Sequence, residues 1–183
     1  LQAMLAVREI EEVHIWSRNQ ANAEGFVEKV RQDHDVDFNV FSKAQACVEG
    51  VDIICTTTSA GEPVLYGDWL EPGMHVNAIG ASQARFRELD TEAVRRSRLY
   101  VDSRESALNE AGELLIPLGQ GELRQEHIVG EIGEILAGEI DGRGGDNEIT
   151  LFKSLGIASE DVVSTQYVYQ QARKKGIGTE VYI

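Results

Sequence analysis

Three stretches of the chain share one shape. VDIICTTTS (51–59), MHVNAIGAS (74–82) and RLYVDS (98–103) each run apolar for several residues and then turn abruptly small and polar. None alternates strictly. A strand with one wet face alternates, because successive side chains point to opposite sides of the sheet. An apolar run without alternation fits a strand covered on both faces, as in a parallel sheet clothed by helices. Two further strand-like runs precede these three: EVHIW, with Val13–Trp16 as its core, and DFNVF (37–41). The segments between them read as helices. QANAEGFVEKVRQDH places Ala23, Phe26, Val27 and Val30 at helical spacing. SKAQACVEG (42–50) reads as a short helix with Ser42 as N-cap and Gly50 as its stop. Strands that alternate with helices imply βαβ units and an α/β class. The predicted parallel strands are Val13–Trp16, Phe38–Phe41, Ile53–Thr56, His75–Ile79 and Leu99–Val101.

The two ends of the chain read differently. LQAMLAVREI is the tail of a helix that runs straight into the first strand. EHIVGEIGEILAGEI (126–140) has Ile128, Ile132, Ile135 and Leu136 on one face and predicts an amphipathic helix. DGRGGDN (141–147) is a loop, and EITLFKSLG (148–156) begins as a strand. ASEDVVSTQYVYQQARKKG (158–176) is a long helix with a stripe of Ala158, Val162, Thr165, Tyr169 and Ala172, ended by Lys174-Lys175-Gly176.

Charge excludes one class of partner. With 17 Lys and Arg against 31 Asp and Glu the net charge is -14, which repels a phosphate backbone, so no nucleic-acid partner is expected. No apolar run is long enough to span a bilayer, so no membrane partner is expected. Cys47 and Cys55 lack CxxC spacing and clustered histidines, which argues against a structural metal and for a reducing, cytoplasmic setting.

Ligands of an open parallel sheet bind beyond the carboxyl ends of its strands. Here those ends read Ser17-Arg18-Asn19, Thr56-Thr57-Thr58-Ser59, Gly80-Ala81-Ser82 and Asp102-Ser103. Small residues admit a ligand to the backbone, and hydroxyls hydrogen-bond ribose or phosphate. Any one such end is equally the start of a turn; four on one edge make a crevice. The second strand of a nucleotide-binding half usually ends in a carboxylate that binds the adenosine ribose of NAD. Ser17-Arg18 stands there instead, and a guanidinium accommodates the 2′-phosphate of NADP. The alternative is a solvated arginine. A strand followed by GxGxxG is absent. GRGGDN (142–147) neither follows a strand nor opens a helix.

CTTTSAGEPVLYGDWLEPGMHVNAIGASQARFRELD, RLYVDS, GEIGEILAGEI and TLFKSLGIASEDVV together resemble the ornithine cyclodeaminase/mu-crystallin family, in order and over nearly the whole chain. The resemblance implies a Rossmann-like, doubly wound parallel sheet. Residues 1–125 would be its NAD(P)-binding domain, without the first strand and the glycine loop. Residues 126–183 would return to a substrate-binding and dimerisation domain whose front part is not in this sequence. Carried over by motif, Ser17, Arg18 and Asn19 meet the adenosine ribose or its phosphate. Cys55, Thr56 and Thr57 lie beside the dinucleotide, Asn77, Ala78, Ile79 and Gly80 under the nicotinamide side, and Ser154 at another cofactor contact. Leu155 neighbours substrate. Ser82 stands where ornithine cyclodeaminases carry Asp, which is closer to the ketimine-reductase pattern. The implied activity is NAD(P)-dependent reduction of a cyclic imino acid, or interconversion of an amino acid and its imine. NADP(H) is favoured over NAD(H), and a homodimer is expected. The alternatives are ornithine cyclodeamination and a non-catalytic, mu-crystallin-like binding protein. Lys153 reads as structural or surface, Asp102 as a cap for the next helix, and His14, His75, Trp16 and Trp69 as packing residues. Lacking a central strand and a phosphate loop, residues 1–183 alone are expected neither to bind dinucleotide tightly nor to turn over substrate.

Overall fold

Every strand ladder in the computed structural model, which describes residues 1–179 and Val181, is parallel. The strands are β1 (Glu12–Trp16), β2 (Asp37–Phe41), β3 (Ile53–Thr56), β4 (His75–Ala78), β5 (Arg98–Val101), β6 (Ile128–Glu131) and β7 (Thr150–Lys153). The helices are α1 (Gln2–Val7), α2 (Gln20–Val30), α3 (Ala44–Val48), α4 (Thr91–Arg96), α5 (Arg104–Glu110), α6 (Gly112–Gln120), α7 (Ile132–Leu136) and α8 (Ala158–Lys175). All five predicted strands form, within a residue of their expected ends.

The strands fall into two sheets. One has the order β1-β2, and the other β3-β4-β7-β5-β6. No ladder joins β1 to β3. β1 and β3 are therefore edge strands of separate sheets. Helix α3 packs on both β1 and β2. It is tied to β1 where His14 Nδ1 lies 3.0 Å from the Cys47 carbonyl.

In the larger sheet the register puts Ile54, Val76, Leu151 and Leu99 in one row, and Thr56, Ala78, Lys153 and Val101 in the next row on the same face. That face is the core, and most of these residues are at or near zero exposure. Leu65, Leu89, Val94, Ala107 and Leu114 pack into it from the connecting loops, α4, α5 and α6. Each large aliphatic side chain buried this way contributes roughly 1.5–3 kcal/mol. The opposite face carries Cys55, His75, Asn77 and Phe152, half-buried or exposed, but also Tyr100 and Thr150, each 5% exposed. Burial on both faces therefore holds for β5 and fails for β3 and β4. The runs looked uniformly apolar because Ile53, Cys55 and Ile79 lie on the open side.

Other expectations are corrected too. Residues 126–140 are not one helix. A 3-10 turn (Gln125–His127) leads into β6, which pairs with β5, and only Ile132–Leu136 is helical. Ile128 is buried in the sheet while Leu136 is 83% exposed, so the two share no face. A sheet position beside β5 outweighs helical periodicity in so short a run. After residue 125 the chain adds β6 and β7 to the larger sheet. The chain leaves the sheet only after Lys153. Ser42 does not cap α3, whose N-cap position is Lys43 without a side-chain bond. Helix α8 forms as expected and ends at Gly176 with a left-handed φ of 64°, but most of its stripe is open among the described residues. No residue of α8 is buried, and Val162, Val163, Tyr167 and Val168 are all more than 60% exposed.

Candidate functional site

The carboxyl ends of β3, β4, β5 and β7 meet on one edge because β7, late in sequence, inserts between β4 and β5. The insertion places the FKSLG segment against the NAIG segment. The Ser154 amide donates to the Ala78 carbonyl at 3.1 Å, and the Ile79 amide to the Thr56 carbonyl at 2.9 Å.

Two buried carboxylates then bind the loops beyond these strands. Asp102, at the end of β5, is 4% exposed. Its Oδ2 accepts from the Leu155 and Gly156 amides, each at 2.6 Å, and from the Ser154 hydroxyl at 3.1 Å. The expectation that Asp102 caps the next helix is thus corrected: Ser103 is the N-cap of α5, accepting from the Ser106 amide. Asp102 instead fixes the loop after β7. Glu88 is fully buried. Its Oε2 accepts from the Thr56 hydroxyl and the Gly80 amide, each at 2.8 Å, and its Oε1 from the Thr58 amide. One carboxylate so joins the loop after β3 to the loop after β4. Gly80 is required at this junction. A Cβ there would fall inside contact distance of the Thr58 carbonyl and amide and of Glu88 Oε1.

Beneath these loops lies a buried ion pair. Lys153 Nζ is 3.6 Å from Glu113 Oε2, with side-chain exposures of 1% and 2%. Lys153 also donates to the Ala81 carbonyl at 2.6 Å, and Glu113 Oε1 accepts from the Glu88 amide at 2.9 Å. Burial pushes the Glu113 carboxyl above its ordinary range, against the opposing pull of the Lys153 charge. Lys153 is structural, in line with its sequence reading.

The other predicted residues distribute as follows. Ser17 is half-buried, and Arg18 and Asn19 are exposed beyond β1. The Asn19 side chain accepts from the Ala21 amide at 3.1 Å and caps α2, so its oxygen is engaged. Arg18 lines a crevice with Gly61, Glu62, Pro63, Arg85 and Phe86. Cys55 and Thr57 are exposed. The Thr56 hydroxyl points inward to Glu88, and the Ala78 side chain is fully buried. These two shape the edge through their backbone. Asn77 sits half-buried between His75 Nε2, 3.2 Å away, and the Cys55 sulfur. Ile79 is 43% exposed at the strand end, an apolar surface beside the Gly80-Ala81-Ser82 loop, and Ser82 is open to solvent. Leu155 is half-buried. Sequence reasoning missed Glu88 and Glu113. Glu113 carried a signal, an acid before the apolar run LLIPL, whereas Glu88, set between Arg87 and Leu89 in RELD, carried none.

Titration of the remaining groups follows burial. His75 is lowered, first by burial and then by the charges of Arg143 and Arg8, while its bond to Asn77 opposes. Burial pushes the Cys47 thiol up to about 11 and raises Cys55 as well. Neither cysteine is an activated thiolate. Among the described residues no group of three His, Cys, Asp or Glu is placed to hold a metal, and no helix is long and apolar enough to cross a membrane. The GRGGDN loop is held by Arg143, which donates to the Gly73 and Glu148 carbonyls at 2.8 and 2.7 Å. Its role is packing.

The sequence profile of the ornithine cyclodeaminase/mu-crystallin family matches residues 1–176. The chain belongs to that family. Among its relatives, a Delta(1)-pyrroline-2-carboxylate reductase of Bacillus cereus is 35% identical over 181 residues, which is 98% of this chain and 55% of that protein. The ketimine reductase mu-crystallin of Mus musculus is 44% identical over 158 residues, 86% of this chain and 46% of that protein. The structure of the Thermococcus litoralis Delta(1)-pyrroline-2-carboxylate reductase in complex with NADH and L-proline superposes with a TM-score of 0.95 at 39% identity, covering 98% of this chain and 56% of that one. The chain spans about half the length of the family members it matches.

Proposed function

We propose that these residues form the nicotinamide-dinucleotide half of an NAD(P)H-dependent reductase of cyclic imino acids. The observation that carries this reading is the edge at the carboxyl ends of β3, β4 and β7. Its backbone is fixed by Glu88 and Asp102, and it presents Ile79, Gly80 and Ser82 toward solvent. Such an edge suits a flat ring laid against backbone and one apolar side chain. Bound there, the reduced nicotinamide would supply the hydride that converts a ring C=N into a secondary amine. Arg18, with Ser17, would face the adenosine end and favour NADP(H) over NAD(H). Leu155 would border the substrate. No glycine-rich strand–turn–helix is present among the described residues to hold the pyrophosphate, so the fit covers the two ends of the dinucleotide and not its middle.

Cyclodeamination is the weaker reading. It needs a carboxylate at the substrate nitrogen. The two carboxylates that reach this edge from the core are engaged with backbone amides, and the loop position otherwise acidic in cyclodeaminases is Ser82. A homodimer in the cytoplasm, with a small amino or imino acid as substrate, completes the proposal.

The test is stoichiometric. The intact protein is mixed with NADPH or NADH and Delta(1)-pyrroline-2-carboxylate. Oxidation of one reduced cofactor per imine consumed supports the reductase. Ammonia released from ornithine without net cofactor oxidation would establish the cyclodeaminase. Cofactor binding without either reaction would establish a binding protein.

A further inference from the structure

The family resemblance points to residues that line the crevice. The buried layer behind them contains a connected set of charged groups that no exposed residue explains. Glu88 takes three donors from two loops: the Thr56 hydroxyl, the Thr58 amide and the Gly80 amide. Its own amide is held by Glu113 Oε1 at 2.9 Å. Glu113 is paired with Lys153, whose Nζ holds the Ala81 carbonyl at 2.6 Å. The path therefore starts and ends on the same loop, at Gly80 and Ala81, after passing through α6 and β7. Every charged member is at most 2% exposed.

Burying three charges is costly, and cores are usually more stable without them. Among the described residues Glu113 Oε2 accepts no hydrogen bond, and its ion pair with Lys153 is 3.6 Å long. An arrangement that is unfavourable for folding by itself points to another use. Its geometric effect is local: it fixes the height and direction of the 79–82 loop relative to the end of β3.

We propose that Glu88 is a positioning residue for hydride transfer. Through Thr58 and Gly80 it would set the backbone surface against which the nicotinamide ring lies, with the Glu113–Lys153 pair holding Glu88 and Ala81 in place. This rests on the reductase reading above. Glu88 touches neither cofactor nor substrate. It acts through the loops, so its loss shows in the alignment of the reacting atoms more than in affinity. Small misplacements at a reacting centre cost up to about a hundredfold in rate.

The test uses Glu88→Gln in the intact protein. The amide keeps the size of the side chain, but its NH₂ cannot accept from a backbone N–H, so one of the two loops must let go. Four quantities are read: kcat, KM for the reduced cofactor, the isotope effect with cofactor deuterated at the transferred position, and amide exchange at Thr58 and Gly80. Leu70→Ala is the stability control. Leu70 is buried in the β3–β4 connection and lies outside the site. The expected result is a fall in kcat of about ten- to a hundredfold, a much smaller change in KM, a larger isotope effect, and faster exchange at the two amides. Leu70→Ala should lower the melting temperature without changing the isotope effect. Glu88→Gln that behaves like Leu70→Ala, with kcat and isotope effect unchanged, overturns the proposal while leaving the reductase reading intact. If Glu88→Gln does not fold, Thr56→Val removes one of the three donors at constant shape. It must still raise the isotope effect, or the proposal falls. A wild-type protein that binds no nicotinamide nucleotide refutes the reductase reading, and this inference with it.

Discussion

Arg18 and Lys153 show how differently a charge behaves at the surface and in the core. Arg18 is exposed and shares its crevice with Arg85. In the intact protein, Arg18→Ala should weaken NADPH by about 1.5–3 kcal/mol, the range of a charge-assisted contact, and leave NADH nearly unchanged. Fluorescence titration with both cofactors measures the difference, and equal losses would remove Arg18 from phosphate recognition. Lys153 is buried against Glu113. Lys153→Met leaves a carboxylate buried without its partner and should cost about 3–5 kcal/mol in urea unfolding. Adding Glu113→Gln removes that charge and keeps an oxygen for the Glu88 amide, so the double variant should recover most of the loss. Additive losses would show that the pair is not coupled. Arg18 could be singled out in the sequence because the role proposed for it rests on the place it holds at the end of a strand. The sequence did not disclose Glu88, because the partners that define Glu88 are 32, 30 and 8 positions away. A carboxylate in RELD looks like any surface acid until the fold brings two loops to it.

Strands β3, β4 and β5 were legible because a run of apolar residues closed by small polar ones has few other uses in an α/β chain. β6 was not. Its four residues, Ile-Val-Gly-Glu, precede a true helical turn, and the combined pattern imitates one amphipathic helix. Only the neighbouring strand β5 decides between them. β7 was legible as a strand, but its position between β4 and β5 was not, since nothing local in TLFK encodes partners 52 and 75 residues upstream. That position makes the loops after β4 and β7 neighbours, while Gly80 is crowded from the other side, by Thr58 in the loop after β3 and by Glu88. Gly80→Ala places a methyl group against the Thr58 backbone and Glu88. It should destabilise by about 1–3 kcal/mol through overpacking, with cofactor affinity reduced as the loops part. Gly119→Ala, in α6 with open space around its Cβ position, should be neutral or stabilising, as glycine inside a helix is worth up to about 1 kcal/mol less than alanine. Thermal unfolding of the two variants gives the contrast, and equal behaviour would mean that the β3–β4 loop junction is not tightly packed.

At the level of the whole molecule the two sheets matter most. β1 and β3 are edge strands of separate sheets, with no ladder between them. The dinucleotide crevice of a doubly wound sheet spans the place where strand order reverses, and its pyrophosphate sits on a helix N-terminus at the central strand. Here Ser17 and Arg18, proposed to meet the adenosine end, follow β1 of the small sheet, and Asn77 to Gly80, proposed to lie under the nicotinamide, end and follow β4 of the large one. A ligand that needs both must find them at a fixed separation, yet no strand pairing fixes it. Unpaired backbone groups on edge strands also favour opening or pairing with other chains. A polypeptide of these 183 residues should therefore bind NADPH weakly, and the edge amides of β1 and β3 should exchange rapidly. Helix α8, with Val162, Val163, Tyr167 and Val168 exposed, should add a tendency to associate. Calorimetric titration and hydrogen exchange on this polypeptide decide the matter. Tight binding, with the edge amides of β1 and β3 protected, would show that the two sheets hold their spacing without a strand between them.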